Sequence, residues 1–495
     1  MKKIIIIGGG VAGLSAGIFA QKSGFESIIY DKNDYVGGHC TGYDKLGIHI
    51  DGCIRFLSGT KEGEPLLDLW KQVGALEGVE IFKPDYSAIY EFNEGRLTIW
   101  RDIDKFEKDL LAISPEDEPT IKKLIGDVKK LNKIVVPAEK PMYMMNPIEL
   151  TKLTLSMKDG IAISEELSKI SCEEYASRFK HPLLKKTFSR MVPVGYSATA
   201  ILMVLAGFTM GNVNIPKGGS RAFIERMKNK YESLGGNIQL NSEVSEVIIE
   251  KNKAAGVLLK NGATKKADYT IAACDVHLIF EKLLKDEYED KEFSLRFENP
   301  LDYPVTSAVN ITVVIEADMR KYPMTLFFQT TPYEVAERSL ELIGFKNYSY
   351  DETFGVDRTI GTITIIQNED EFDYWRNLYS NEEAYKSETI RIGIDVIKRI
   401  ETRFPELKGR IKLLDVVTPI NYAKNTGAYK GSLMAFSLTP RSRIMMHSGK
   451  IKGLDKFYIS GQWLSPPGGL ISAVTSGKFT MLQICKEEKV KLITG

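Results

Sequence analysis

The stretch Ile4-Ile5-Ile6-Ile7-Gly8-Gly9-Gly10-Val11-Ala12-Gly13 restricts the fold more than any other part of this chain. Four consecutive isoleucines read as a short strand buried on both faces, as in a parallel sheet. The glycines that follow fit G-x-G-x-x-G, with Gly8, Gly10 and Gly13 in the fixed places. Leu14, Gly17 and Ile18 continue at helical spacing to about Ser23-Gly24, and residues 27–30 read as a second strand ending at Asp31. In that order each residue has a task. Gly8 permits a tight turn, Gly10 lets a pyrophosphate approach the backbone, and Gly13 lets the helix pack closely on the strand. The helix N-terminus offers unpaired N–H groups and the positive end of its dipole to the phosphates. Asp31, roughly 20 residues on, can accept hydrogen bonds from a ribose diol. The unit is a dinucleotide cradle of Rossmann type, at the head of an α/β fold.

After Asp31-Lys32 come four residues and then Gly37-Gly38. An acid followed closely by a Gly-Gly pair resembles the second flavin-contacting motif of the amine oxidase and phytoene desaturase superfamily. Near the other end, residues 456–459 read as a buried strand closing in Ser460-Gly461-Gln462-Trp463. Pro466-Pro467-Gly468-Gly469, Ala473 and a helix carrying Ser476-Gly477 follow. This resembles the C-terminal flavin signature of phytoene desaturases and carotenoid isomerases. Between the ends, Pro216-Lys217-Gly218-Gly219-Ser220 opens a helix that leads to strands at 238–240, 244–250 and 255–260 and a buried strand at 267–273. That order is similar to the family's second nucleotide-side segment.

The resemblance implies FAD. It implies contacts from Gly8, Gly10, Ala12, Gly13, Asp31, Lys32, Gly37, Gly38 and His39 at the front, and from Val244 against the adenine. At the back it implies Gly461, Gln462, Gly469, Leu470 and Ala473. It also implies a C-terminal helix aimed at the flavin pyrimidine ring, where a positive dipole end would stabilise the anionic reduced form. Two positions depart from the family pattern. His39 stands where an Arg commonly follows the glycine pair. Gln462 stands where most relatives carry an acid, although an amide can accept one bond and donate another.

The activity implied is oxidoreduction at carbon–carbon bonds of an apolar isoprenoid, polyene or lipid, by desaturation, saturation or isomerisation with reduced flavin. Two alternatives stay open. One is an amine oxidase or a protoporphyrinogen-oxidase-like enzyme, with Tyr422, Tyr429 and Trp463 available as an aromatic cage. The other is a flavin-binding redox partner without turnover.

At 495 residues the chain suggests two or three domains. With 66 basic against 65 acidic side chains, no net field favours nucleic acid. Five scattered cysteines (Cys40, Cys53, Cys172, Cys274 and Cys485) form no C-x-x-C and no zinc spacing. They speak against a dithiol flavoprotein and for a reducing, cytoplasmic setting. The five histidines show no metal-ligand spacing, so no metal is expected. G-x-S-x-G, H-E-x-x-H and P-loop patterns are absent, which leaves the chemistry to the flavin, with His39 the one histidine adjoining its motif. The sequence fixes no oligomeric state.

The segments are read as follows. Residues 1–102 are the first FAD-binding part, including a hairpin at 89–100, and 103–215 a helical substrate or lid unit. Residues 216–299 are the second FAD-binding part, 300–415 a discontinuous α+β substrate domain, and 416–495 the C-terminal FAD-binding part. Within the helical unit, Ser114-Pro115-Glu116-Asp117 reads as a helix start and Ser171-x-x-Glu174 as a capping box. Between them Met142, Met144, Met145, Ile148, Leu155 and Met157 form a greasy patch. Such a patch suits a tunnel for the apolar substrate or peripheral contact with a membrane. No stretch reaches the ~18 apolar residues of a membrane span.

Overall fold

In the computed structural model, which describes residues 1–355 and 358–495, the isoleucine run is the middle strand of a five-stranded parallel sheet. The order is Asn237–Gln239, Glu26–Tyr30, Lys3–Ile7, Tyr269–Ala272, Phe457–Ile459. Alternate side chains leave a strand on opposite faces. Ile4 and Ile6 therefore pack with Val11, Leu14, Ile18, Val474 and Met481 beneath the sheet. Ile5 and Ile7 pack with Val244, Val247, Val257 and Ile459 above it. Full burial of each isoleucine is worth about 1.5–3 kcal/mol, which is why a run this short fixes the sheet.

Helices Val11–Lys22, Gly219–Ser233 and Gly469–Glu487 cover one face. Small residues set their approach. A Cβ on Gly477 would lie 2.6 Å from the Ala12 carbonyl oxygen, and one on Gly17 would lie 2.7 Å from the Tyr231 ring. The meander Val244–Glu250, Lys253–Leu259, Thr264–Lys266 covers the other face.

A second sheet has seven strands, in the order Ile411–Val417, Ser307–Ile315, Thr359–Gln367, Arg338–Asn347, Thr325–Val335, Tyr86–Phe92, Gly95–Trp100. Within the segment read as a discontinuous α+β domain, strand Thr325–Val335 turns directly into Arg338–Asn347. The connection is two residues, Ala336 and Glu337, both at positive φ (49° and 62°). A turn of that shape normally announces itself with Asn-Gly or Asp-Gly, and Ala-Glu gives no such signal. The hairpin Tyr86–Trp100 joins this sheet through parallel pairing of Tyr86–Phe92 with Thr325–Val335. The span 1–102 therefore contributes to both sheets.

Helices between Ile103 and Thr209 pack on the hairpin through Tyr90, Leu97 and Ile99. The capping box at Ser171 and Glu174 is formed. Ser114 is not a cap: its Oγ donates to Asp117 Oδ2 (2.7 Å), Pro115–Asp117 makes a single 3-10 turn, and the helix begins at Glu118. The Asp117 carboxylate accepts the Lys180 and His181 N–H groups instead (2.7 and 3.0 Å), tying two helices together.

Candidate active site

A cavity of about 1660 Å³ is lined by residues of both sheets. That exceeds the ~300–1,000 Å³ of an ordinary small-molecule pocket and leaves room for a dinucleotide and a second reactant. Of the fifteen residues expected at the cofactor, all but Gly13 line it.

The glycines divide by what a side chain would meet. Gly8 turns the chain at φ +103°, and a Cβ there would lie 2.7 Å from the Ala273 oxygen. One on Gly13 would lie 2.0 Å from the Gly8 oxygen, so Gly13 sits behind the turn and holds it closed. Gly37 is equally confined, 2.6 Å from the Cys40 oxygen. Gly10, Gly38 and Gly461 are different. Their nearest foreign atoms would be 3.8 Å, 3.9 Å and beyond 4 Å away. They leave space over the cavity that side chains would fill.

Two helices begin at this space with no side-chain hydrogen bond from their N-cap residues, Val11–Lys22 after Gly10 and Gly469–Glu487 after Gly468. Their first N–H groups and dipole ends suit phosphate or another anionic group. Asp31 is buried, with Oδ2 accepting the Gly9 N–H (2.7 Å) and Oδ1 the Asn33 N–H (2.9 Å). Burial raises its carboxyl pKa above the usual value, against the pull of these bonds. Each oxygen keeps lone-pair capacity for a diol. Lys32 Nζ donates to the Lys424 carbonyl (2.9 Å).

Gln462 Oε1 accepts the Gly469 N–H (3.0 Å). One lone pair of its oxygen thus holds the first turn of the C-terminal helix, and its NH2 and the second lone pair are left for a ligand. His39 is half-buried, its Nε2 3.2 Å from Thr426 Oγ1 and its ring 5.8 Å from that of Tyr422. Burial lowers its pKa to about 4, so it is a neutral imidazole at pH 7.

The other part of the cavity was not anticipated. Asn310 and Thr364 are cross-strand partners on the second sheet, and Thr312 pairs with Thr362 beside them. Arg55 Nη2 donates to Asn310 Oδ1 (3.2 Å) and to Thr364 Oγ1, and Asn310 Nδ2 donates to the Tyr422 hydroxyl. Beneath them Lys346 Nζ donates to the Arg55 carbonyl (2.7 Å), ringed by Phe56, Tyr348 and Tyr350. Burial, with Arg55 nearby, lowers the Lys346 pKa to about 7. A signal was present: in Thr359–Gln367, Thr362 and Thr364 alternate with Ile363 and Ile365, a period-two pattern whose polar face turns to the cavity. Tyr422 and Trp463 reach the cavity, but Tyr429 packs against His277 and Phe297, so the three make no cage.

Residues 11–386 match the model of the flavin-containing amine oxidoreductases. The chain belongs to that family. It is 25% identical to an inactive all-trans-retinol 13,14-reductase of Danio rerio, over 84% of this chain and 75% of that protein. It is 23% identical to a 4,4'-diapophytoene desaturase of Staphylococcus aureus, over 98% and 99%. Among solved structures it is similar to a putrescine oxidase bound to putrescine (TM-score 0.58, 15% identity, 98% and 99% covered). It is similar also to an oxidoreductase from Methanosarcina mazei (0.59, 15%, 98% and 100%). At these identities the solved structures establish the fold. The family's cofactor is FAD, and the space at Gly10, Gly38 and Gly461, with the uncapped helix start after Gly10, fits it. No cluster of metal-ligating side chains occurs among the described residues, and no described helix is long and apolar enough to cross a membrane.

Proposed function

We propose that the protein is a FAD-dependent oxidoreductase acting on a carbon–carbon bond of an apolar, isoprenoid-like polyene or lipid, by desaturation, saturation or isomerisation. The observation that carries this reading is the second part of the cavity. Phe56, Ile366, Leu433 and Met434 line it, and its nearest carboxylates are already engaged. Asp51 accepts the Ser220 N–H (2.7 Å), and Asp415 accepts from the Tyr43 hydroxyl (2.6 Å) and pairs with Lys45. Among the described residues, both of these carboxylates already accept hydrogen bonds from the protein. The near-full-length similarity to a diapophytoene desaturase supports the same reading.

When bound, FAD supplies two-electron exchange with the reactant. The chain supplies the rest. The glycine cradle and helix ends hold the phosphates, and Asp31 takes the ribose. His39, without charge at neutral pH, keeps the space beside the glycine pair polar without adding a proton source. Anaerobic mixing of the flavin-loaded protein with 4,4'-diapophytoene or all-trans-retinol, and separately with benzylamine, tests this. Flavin bleaching by a polyene, or polyene conversion once the flavin is reduced, supports the reading. Bleaching by the amine alone favours an amine oxidase.

We also propose that the patch around helix Pro147–Leu167 meets a lipid surface from which such a reactant would come. Ile148 and Leu155, two turns apart, are 69% and 65% exposed, whereas Met144 and Met145 are half-buried and Met157 is buried. Ile148→Asp with Leu155→Asp is expected to abolish binding to phospholipid vesicles. Unchanged binding would overturn the proposal.

A further inference from the structure

The cavity contains a cation that chemistry on a plain hydrocarbon does not require. Arg55 follows the buried Asp51 and reaches the second sheet, where only its Nη2 is engaged, by the neutral acceptors Asn310 Oδ1 and Thr364 Oγ1. Among the described residues it forms no ion pair, and its Nε and Nη1 have no hydrogen-bond partner. Taking a guanidinium out of bulk water without a counter-charge is costly. The surroundings raise that cost: the next basic group, Lys346, sits on the Arg55 carbonyl, and Asp51 and Asp415 are turned to Ser220, Tyr43 and Lys45.

The arrangement is nevertheless a built one. Asn310 is fixed from three sides, by its cross-strand partner Thr364, by the Tyr422 hydroxyl and by Arg55 itself. Arg55 lines the cavity, and the N–H groups of its Nε and Nη1 are left to give a carboxylate a charge-assisted hydrogen bond.

We propose that Arg55, oriented by Asn310 and Thr364, receives a carboxylate carried by the reactant, which makes the substrate class an apolar chain bearing an acid group. The inference rests on the apolar-reactant reading above and narrows it. Arg55 is a specificity-determining residue here; Asn310, Thr364 and Tyr422 position it. The competing source of negative charge is the cofactor itself, and the experiment separates the two.

The flavin-loaded protein is titrated with all-trans-retinoate, all-trans-retinol and benzoate at low salt, with the flavin absorption spectrum as readout. Retinoate is expected to bind about tenfold or more tightly than retinol, the difference one charge-assisted pair supplies. In Arg55→Gln the two are expected to bind alike, benzoate to weaken by a similar factor, and FAD stoichiometry to hold. Arg55→Lys keeps the charge but not the guanidinium's contacts to Asn310 and Thr364 and is expected to retain part of the preference, which covers the case in which Arg55→Gln fails to fold. Equal binding of retinoate and retinol by the native protein overturns the proposal. So does loss of FAD, rather than of acid preference, in Arg55→Gln, because the arginine then serves the cofactor. Arg55-dependent benzoate binding with no response to either polyene leaves the anion site standing and removes the isoprenoid reading. Binding of retinoate as well as retinol that is unchanged in Arg55→Gln leaves the isoprenoid reading standing and removes the anion site.

Discussion

The two parts of the cavity are made by opposite means. The cradle is backbone: a turn at Gly8, open surface at Gly10, Gly38 and Gly461, and two helix starts. The floor is side chain: Arg55, Asn310, Thr364 and Tyr422, joined by hydrogen bonds across strands and loops. In the cradle, what matters is the atoms that are missing. On the floor, what matters is the polar atoms present. A backbone cradle can serve the whole family unchanged, while a side-chain floor can be re-specified one residue at a time.

This contrast is open to attack by mutation. The largest effect is expected at Gly13→Val, whose Cβ would lie 2.0 Å from the Gly8 oxygen. The turn cannot form, so the variant should lose both FAD and the cooperative thermal transition. A folded variant with FAD would mean that the turn tolerates a shift of its backbone. Gly10→Val should differ sharply. Gly10 has φ −74°, an ordinary value for any residue, and open space beside it. The variant is expected to fold with a near-native melting temperature and to hold no flavin; retained flavin would place the phosphates elsewhere. Asp31→Ala is expected to weaken FAD binding by roughly 10–100-fold, the worth of one or two charged hydrogen bonds. Equilibrium dialysis against FAD measures it, and an unchanged constant would remove Asp31 from the ribose.

The smallest effect concerns His39. Its folded pKa, about 4, lies below the 6.5 of an exposed imidazole because burial disfavours the charged form. The unfolded chain therefore takes up the proton first as pH falls. The contribution is complete above pH 6.5, declines toward pH 4, and is constant below. By pH 5 the loss amounts to about 2 kcal/mol. Urea unfolding with FAD in excess should show native protein losing that much more than His39→Gln between pH 7 and pH 5. Equal losses would mean that His39 is solvated.

The cradle was readable because its information is local. Strand, turn, helix and acid lie within 31 residues, and each step has one physical reason. The C-terminal helix was readable for the same cause, from Ser460-Gly461 through Gly468-Gly469. The floor was not, because its parts come from positions 55, 310, 364 and 422 and meet only when seven strands pair. Arg55 looked like any loop arginine. The strand Arg338–Asn347 stayed hidden behind a turn built of Ala336 and Glu337. Trp463 and Tyr429 shared a plausible role in the sequence, but packing sent Tyr429 against His277 and out of the cavity.

The most direct test of the account is the visible flavin spectrum of the purified protein during anaerobic addition of 4,4'-diapophytoene, all-trans-retinol and benzylamine in turn. About one flavin per chain is expected, with a spectral or chemical change on adding a polyene, in the oxidised or the reduced state, and none with the amine. Bleaching by benzylamine alone, or a protein that takes up no flavin even with FAD in excess, would contradict it.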